Sequence, residues 1–418
     1  MLRANDTGRW TKPSPAQYPH QWNWDSAFIS LGWATFDTER AMLEVESMLA
    51  AQWRSGMVPH VHYDPAYLAA YFPGPDRWPG AELQVRRPGE LTSGISNPPV
   101  LVLAACRLAA SGGEVAASFA GRVLDPLSDW LRYLFRDRRL PGSPLVAVVH
   151  PWETGWDNSP RWDLLAAAGL KPRRPYRRLD TRAVAETERP SGRDYDGYIA
   201  LAEIISGSGF ELAAYRARTP FVVHDVLFDA LCHRAAVALN GLARILGRAE
   251  PFAERELADF ARAFEELHWN ERAGTYFDYD AQADRQIEVP SAAALAALAG
   301  DLVPRARALA ILDGYLARNG GLLPVCTYPI GAPGFDPDLY WRGPVWLNVN
   351  WLVIEGLRRV GLAERAEALA RQTLAAFAPT GFAEYLNPVS GEGRGIASFS
   401  WSAALTLELL EKGGRRSA

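Results

Sequence analysis

Helical periodicity of apolar residues constrains the fold of this chain more than any other feature. Apolar side chains three or four positions apart form a stripe along one face of a helix. Between positions 37 and 54, such a stripe consists of Met42, Val45, Leu49 and Trp53. Comparable patterns predict about twelve helices, at 25–36, 37–54, from 98 onward, 115–136, 195–206, 221–248, 252–267, 292–298, 303–318, 344–360, 363–377 and 398–410.

Two long stretches, 57–91 and 140–194, interrupt this pattern. Both are aromatic, rich in Pro or Gly, and aperiodic. Loops of this length are uncommon inside a compact domain and tend to be functional. Neither stretch has the Ser and Gly content of a flexible linker. The sequence therefore predicts an all-α fold in one catalytic domain, 1–418: a toroid of six helical hairpins with both stretches as active-site loops on one face.

Composition and charge exclude several classes of protein. With 48% hydrophobic and 22% charged residues, the chain is a globular protein rather than a disordered one. A net charge of −4 gives no general attraction to nucleic acid. No apolar run approaches the roughly 20 residues of a membrane-spanning helix, and the first residues contain no signal-like run. Three widely spaced cysteines fit a reducing compartment, so a cytoplasmic location is predicted, and a homo-oligomer is left open.

The cationic residues are almost all arginine. Of the 44 Lys and Arg residues, only those at positions 12, 171 and 412 are lysine. Proline is plentiful, with 30 residues in the chain. This pattern is typical of a thermophile protein. A GC-rich genome would produce the same arginine bias, so the growth temperature of the source stays open.

Four short segments combine Trp or Tyr with carboxylates or arginine, and the helical pattern of apolar residues does not account for them. They are YPHQWNWD at 18–25, HPWETGWDNSPRWD at 150–163, YWRGPVW at 340–346 and GFAEYLNP at 381–388. Sugars need this mixture, because their hydroxyls require polar partners and their C–H faces pack on flat rings. Cleaving a glycosidic bond also requires two carboxyl groups, one protonated and one ionised. The segments therefore predict a glycosidase site.

Asp157 and Glu384 are the natural carboxyl pair, because each lies within one of these segments. Spacing alone does not select them, and other carboxylates compete for the two roles: Asp25, Glu153, Asp163 and Glu392.

Several polar residues also have a structural interpretation. Asp25 either caps its helix or grips a substrate hydroxyl. Arg342 is expected to pair with a structural carboxylate rather than to contact a ligand. His60 and His62 are spaced like a metal pair, but no third ligand stands at a readable spacing, so no metal site is predicted.

At these four segments the chain resembles glycoside hydrolase family 63, whose relatives include the trehalases. GWDNSPRW, YWRGPVW and GFAEYLNP carry the resemblance, which spans 18 to about 404. Overall size, YFPGP at 71–75 and RPSGRDY at 189–195 make the chain most similar to the bacterial hydrolases of mannosylglycerate and glucosylglycerate. The resemblance implies an (α/α)6 barrel, in agreement with the helix count, and an inverting mechanism.

The resemblance also implies roles for individual residues. Asp157 would be the general acid and Glu384 the general base. The sugar pocket would be lined by Tyr18, Trp22, Asn23, Trp24, Asp25, Asn97, Gly155, Tyr340, Trp341 and Trp346. Asn97 stands where close relatives carry Gln, which puts one hydroxyl contact in doubt.

A glycerate aglycone would be held by Arg189, Tyr195 and Tyr71, with Arg193 as the rival cation. A carboxylate requires a fixed cation, and arginine binds one through two parallel hydrogen bonds.

The resemblance thus implies hydrolysis of a small anionic glycoside, α-mannosylglycerate and also α-glucosylglycerate, to the hexose and glycerate. No cofactor is required. The nearest alternative is an α-glucosidase or trehalase-like hydrolase of a neutral disaccharide. A sugar epimerase would need paired histidines that the four segments lack. A non-catalytic sugar-binding protein would give no reason for Asp157 and Glu384.

Overall fold

The computed structural model describes residues 1–322 and 324–417. In this part of the chain the α-helices are α1 Leu2–Asn5, α2 Asn23–Trp33, α3 Thr38–Leu49, α4 Val100–Ala109, α5 Gly113–Asp137, α6 Pro151–Thr154, α7 Asp163–Ala168, α8 Gly192–Ser206, α9 Leu212–Tyr215, α10 Val226–Ile245, α11 Glu254–His268, α12 Ala293–Ala296, α13 Arg305–Arg318, α14 Leu347–Arg359, α15 Ala363–Phe377 and α16 Ser400–Ser417. Short 3-10 helices lie at Pro65–Ala70, Pro75–Arg77, Ala81–Leu83, Pro160–Trp162, Glu186–Glu188, Arg216–Arg218, Ala297–Gly300 and Ala378–Thr380.

The strands are two or three residues long and all pair antiparallel. They are β1 Gln21–Trp22, β2 Val61–Tyr63, β3 Leu91–Thr92, β4 Val223–His224, β5 Trp269–Asn270, β6 Thr275–Tyr276, β7 Asp278–Asp280, β8 Arg285–Ile287, β9 Tyr385–Leu386 and β10 Gly393–Arg394. They form two three-stranded sheets, β1-β2-β3 and β4-β7-β8, and two hairpins, β5-β6 and β9-β10. These strands tie loops to one another rather than forming a layer.

The structure confirms each of the twelve helices that the periodicity predicts, with bounds that differ by a few residues. The segment at 292–298 is divided between α12 and the 3-10 turn Ala297–Gly300. The short helices α1, α6, α7 and α9 were not predicted. They have only four to six residues, too few for an apolar stripe to repeat.

Six of the helices pack into a closed ring. α2 packs against α4, α4 against α10, and α10 against the 3-10 turn Ala297–Gly300 that continues α12. That turn packs against α14, α14 against α16, and α16 returns to α2. Five further helices, α3, α5, α11, α13 and α15, each pack against the ring helix that precedes them in the chain. Central helices of this kind need apolar residues on every side, whereas outer ones need a single stripe.

The burial of the helices follows that division. Every residue of α2 is buried, whereas α11 buries only Phe260, Phe264 and His268. Ring helices also approach one another very closely. A Cβ atom at Gly32 of α2 would lie 2.3 Å from the Cα of Ala404 in α16, so a larger residue would push these helices apart.

One helix of the described residues, α10, is long and apolar enough to cross a membrane by length and composition. Most of its apolar stretch is buried inside the molecule. Its apolar character is therefore accounted for by its place in the central ring.

The amino-terminal ends of four ring helices, α2, α4, α14 and α16, point to one region of the molecule, where their preceding residues line a common cavity. Both long loops reach this region. The loop at 57–91 is tied to the start of α2 through the pairing of β2 with β1.

Candidate active site

A cavity of about 100 Å³ lies at these helix ends and brings together most of the predicted site residues. Thirteen of the fifteen line it: Tyr18, Trp22, Trp24, Asp25, Tyr71, Asn97, Gly155, Asp157, Arg189, Tyr195, Tyr340, Trp341 and Glu384. Residues from four separate segments and both long loops therefore face one hollow.

The structure corrects two of the predictions, because Asn23 and Trp346 do not line this cavity. Asn23 is buried and its Nδ2 donates to the carbonyl of Pro59 at 3.3 Å. Trp346 is fully buried behind Trp341, with ring centroids 3.9 Å apart, and donates its indole N–H to the carbonyl of Tyr340. Consecutive helical residues point about 100° apart, so membership of a motif does not fix which side chains face the cavity.

Asp157 follows the turn of α6 and lies on the cavity wall. The hydroxyl of Tyr198 donates to its backbone carbonyl at 2.9 Å, which fixes the chain at this point. Burial raises the pKa of the Asp157 carboxyl to about 7, and the negative charges of Glu384 and Asp180 act in the same direction. Asp157 can therefore hold a proton near neutral pH.

Buried ion pairs anchor the segment that carries Asp157. Glu153 receives two hydrogen bonds of 2.7 Å from Arg138, and it also accepts from the backbone N–H of Val149 at 2.8 Å. On the other side of Asp157, Arg161 pairs with Asp225 at 2.8 Å and with Asp278 at 3.0 Å. These side chains are almost completely shielded from solvent. The loop is therefore held on both sides by charges that burial makes costly to separate.

Three of the carboxylates that competed for the catalytic roles lie outside the cavity. Glu153 pairs with Arg138, and Glu392 pairs with Arg394 on an exposed turn. Asp163 receives both terminal nitrogens of Arg342, at 2.6 and 3.0 Å, which confirms the structural interpretation of that arginine.

Asp25, the fourth competitor, lines the cavity. The capping interpretation is not what the structure shows, because α2 begins at Asn23 and its N-cap is Trp22. Burial, together with the charge of Glu384, raises the pKa of Asp25 well above the ordinary carboxyl range. A neutral Asp25 can donate a hydrogen bond to a ligand hydroxyl.

Glu384 precedes the hairpin β9-β10, which aims it into the cavity. Its Oε2 accepts from the backbone N–H of Ile396 at 3.0 Å and from Nη2 of Arg189 at 2.9 Å. Its Oε1 accepts from the hydroxyl of Tyr18 at 3.0 Å. The chain passes close by at Gly395, where φ is +68° and a Cβ would lie 2.4 Å from Oε2, so only glycine fits.

Arg189 was predicted as the cation for a glycerate carboxylate. In the structure its guanidinium is hydrogen-bonded to Glu384. Its Nη1 also donates to the hydroxyl of Tyr18 at 2.7 Å, and its guanidinium lies 4.8 Å from the ring centre of Tyr340. The Nε of Arg189 is buried and has no hydrogen-bond partner in the described part of the chain. Arg193, the rival cation, is exposed and does not line the cavity.

An aromatic wall faces these charged groups. Trp341 stacks on Trp156 with centroids 5.3 Å apart, and Tyr71 packs edge-on against Trp22 at 5.0 Å. Tyr340 adopts a φ of +42°, which is uncommon for a side chain other than glycine. Flat rings of this kind offer the packing surface that the C–H face of a sugar needs.

Several buried polar atoms of the lining residues have no hydrogen-bond partner within residues 1–322 and 324–417. They are Nε1 of Trp24, Trp341 and Trp401, and Oδ1 of Asn97. Asn97 uses its Nδ2 on the carbonyl of Trp152 at 3.1 Å. Buried polar groups are nearly always paired in proteins. These atoms therefore suit a ligand with several hydroxyl groups.

Sequence reasoning missed six residues that also line the cavity, namely His60, Trp152, Asp180, Pro190, Phe399 and Trp401. The two histidines considered for a metal are separated: His60 stacks on Trp152, whereas His62 pairs with Glu90 at 2.6 Å. Burial lowers the pKa of His60 to about 3, so it is neutral. Trp152 could have been found from its motif, but Asp180 stands in a loop without a recognisable pattern.

The cavity thus combines a carboxyl group with a raised pKa, a second carboxyl group in contact with an arginine, and aromatic side chains. Known proteins are similar to this chain in sequence and in structure. A family model described as mannosylglycerate hydrolase MGH1-like glycoside hydrolase domain matches residues 18–402. The mannosylglycerate hydrolase of Rubrobacter radiotolerans is 38% identical over 99% of this chain and 96% of that protein. The glucosylglycerate hydrolase of Mycolicibacterium hassiacum is 35% identical over 98% of this chain and 96% of that protein.

A solved structure is also similar over its whole length. It is the crystal structure of the family 63 mannosylglycerate hydrolase from Thermus thermophilus in complex with Tris and D-glycerate. Its TM-score is 0.89, with 37% sequence identity and 98% of each chain covered. These matches confirm the resemblance to glycoside hydrolase family 63 and the helix-rich fold. The chain belongs to the family of mannosylglycerate hydrolase MGH1-like glycoside hydrolases.

Proposed function

We propose that this protein hydrolyses a hexosylglycerate, α-mannosylglycerate or α-glucosylglycerate, to the hexose and glycerate. One observation carries the proposal. Asp157, with a pKa of about 7, and Glu384, in contact with Arg189 and Tyr18, line the same aromatic cavity. Such a pair supplies the proton donor and the anion that hydrolysis of a glycoside needs.

In the proposed reaction, Asp157 gives its proton to the glycosidic oxygen as the bond to the aglycone breaks. Glu384 takes a proton from a water that attacks the anomeric carbon from the opposite side. The sugar would bind between Trp22, Trp24 and Trp341, and a neutral Asp25 would donate to one of its hydroxyls. The anomeric centre would be inverted, which requires a carboxyl separation of roughly 6.5–9.5 Å.

The choice of substrate rests on the relatives and on the charge of the site. Those relatives are named for mannosylglycerate and glucosylglycerate, and a solved one holds D-glycerate. In this chain, Arg189 is a buried cation at the cavity, and Tyr71 and Tyr195 line the same cavity. We propose that these three residues hold the glycerate.

We further propose that the ring of six helices is an (α/α)6 barrel and that 1–418 form one catalytic domain. The closed cycle of packing from α2 back to α2 supports this architecture. Within the domain, 57–91 and 140–194 act as active-site loops, since both contribute residues to the cavity. A cytoplasmic location stays a prediction from the cysteine content.

Product analysis tests the proposal. The purified protein is incubated with mannosylglycerate, glucosylglycerate, trehalose and kojibiose, and the products are identified by chromatography. Release of hexose and glycerate from mannosylglycerate or glucosylglycerate is expected to be faster than cleavage of trehalose or kojibiose. Faster cleavage of trehalose or kojibiose than of either glycerate compound would overturn the proposed substrate.

Proton NMR tests the stereochemistry. The sugar formed first from an α-linked substrate is expected to be the β anomer, before mutarotation mixes the two. An α anomer as the first product would mean that the two carboxyl groups have been assigned the wrong roles.

A further inference from the structure

The general base proposed above has nearly all of its acceptor positions occupied. A carboxylate has about four lone-pair directions. Three of those on Glu384 are taken by Ile396 N–H, by Nη2 of Arg189 and by the hydroxyl of Tyr18. Nη1 of Arg189 lies 3.5 Å from Oε1, near the remaining direction. A water that is to be deprotonated must therefore compete with Arg189 for Glu384.

The same guanidinium also has an unused edge. Its two terminal nitrogens are directed at Glu384 and Tyr18, whereas Nε is buried without a partner in the described residues. Nε and Nη2 form the side of the guanidinium that binds a carboxylate through two parallel hydrogen bonds. Arg189 is only 3% exposed and lines the cavity, so a ligand that meets this guanidinium comes from the cavity rather than from bulk solvent.

We propose that the carboxylate of the aglycone binds this free edge of Arg189 and thereby weakens the hold of Arg189 on Glu384. Glu384 is then free to accept the attacking water when a carboxylate-bearing substrate is present. Arg189 is in this sense a positioning residue that determines specificity, and the inference rests on the proposed hydrolysis of hexosylglycerates.

The physical reason is that one cation is shared between two anions. Arg189 occupies acceptor positions of Glu384 that the attacking water would need. A second carboxylate neutralises part of that positive charge and draws the guanidinium toward itself. Selectivity against neutral glycosides then appears in the chemical step and not only in binding.

A substrate with a very small leaving group separates binding of the aglycone from the chemistry. In α-mannosyl fluoride or α-glucosyl fluoride, the C–F bond breaks, water oxygen bonds to the anomeric carbon, and Glu384 accepts the water proton. Because fluoride is one atom, D-glycerate can occupy the aglycone position in the same complex. D-Glycerate is expected to stimulate fluoride hydrolysis by about tenfold, the effect of one charged hydrogen bond. Glycerol, which fills the same space without a charge, is expected not to stimulate.

Two arginine variants show whether the stimulation acts through Arg189. Arg189→Met is expected to lose the stimulation, so that its rates of fluoride hydrolysis with D-glycerate and with glycerol are equal. Arg178→Met is the matched control. Arg178 pairs with Asp180 and lies 4.0 Å from the ring centre of Tyr195, and within the described residues it is not hydrogen-bonded to Glu384. Its variant is expected to keep the stimulation by D-glycerate.

Two outcomes would overturn the inference. One is equal rates of fluoride hydrolysis by the native protein with D-glycerate and with glycerol, a comparison that needs no variant to fold. The other is that Arg189→Met lowers the turnover of the hexosylglycerate and of the fluoride by the same factor, as expected of a purely structural residue. In either case the hexosylglycerate is still cleaved, whereas failure of the proposed function would mean that no hexosylglycerate is cleaved at all.

Discussion

The segment 150–163 around Asp157 and the segment 381–396 around Glu384 place the same chemical group in opposite surroundings. Within the described residues, no side chain or backbone group of another residue donates a hydrogen bond to the carboxyl of Asp157. Glu384 accepts from Arg189, Tyr18 and Ile396. Both are enclosed by protein, so burial alone does not set their roles. The two carboxyl groups differ instead in the donors aimed at them, and hydrogen bonds to the charged form of a carboxyl favour that form.

The two segments are also held in different ways. Behind Asp157 lie the buried pairs of Arg138 with Glu153 and of Arg161 with Asp225. Glu384 is held by the short hairpin β9-β10, where the other charged pairs lie near solvent. The segment 150–163 is thus anchored by ion pairs that lie outside the cavity. Glu384 is held mainly by Arg189 and Tyr18, which line the cavity.

The largest expected effect is on turnover, and it distinguishes the two carboxyl groups by their response to a change of leaving group. Glu384→Gln is expected to lower turnover of hexosylglycerate and of α-mannosyl fluoride by about 10³-fold or more, because both need a base. Asp157→Asn is expected to cause a comparable loss on hexosylglycerate and a much smaller one on the fluoride, which leaves without a proton donor. Steady-state kinetics on the two substrates measure this difference. Equal losses in Asp157→Asn would remove Asp157 from the role of acid.

A second comparison concerns stability. Arg138→Met is expected to lower the free energy of unfolding by about 3–5 kcal/mol, because it leaves Glu153 buried without its partner. Arg394→Met, near the base, is expected to cost less than about 1 kcal/mol, since its pairs are partly exposed. Urea denaturation measures both. The double variant Arg138→Met with Glu153→Gln is expected to recover part of the loss, and no recovery would contradict this explanation.

The pH dependence tests the surroundings of Asp157. The acid must be protonated, and its pKa is raised to about 7, so kcat/KM is expected to fall as the pH rises through about 7. Asp180 contributes to that raised pKa through its negative charge. Asp180→Asn is therefore expected to move the fall in kcat/KM to lower pH. A shift to higher pH, or none, would show that the charge of Asp180 does not reach Asp157.

The smallest effect is expected at Asp163, the last residue of the segment 150–163. Arg342→Gln breaks the bidentate pair with Asp163, whose side chain is 58% exposed. Solvent screens such a pair, so the expected loss of stability is below about 1 kcal/mol, with turnover within about twofold of the native value. Thermal unfolding and steady-state kinetics measure the two quantities. A large loss of turnover would instead place Arg342 in the binding of substrate.

Much of the candidate site was accessible to sequence reasoning, because its residues cluster in short segments of unusual composition. The positions of Asn23 and Trp346 were not, since a motif does not show which neighbour faces a cavity. Asp180 and His60 were missed for a different reason. Nothing in the local sequence marks Asp180, and His60 was noted only for its spacing from His62. Both residues reach the cavity because their loops come together there.

The sequence by itself determined where the helices lie and which segments carry groups suited to cleaving a sugar, because periodicity and composition are local properties. Only the tertiary structure decided the partners of each charged group. Glu384 is 195 positions from Arg189 and 366 from Tyr18, yet all three are joined by hydrogen bonds. Charge interactions act through space over a few ångströms, so the protonation of a carboxyl depends on neighbours that the order of residues does not reveal.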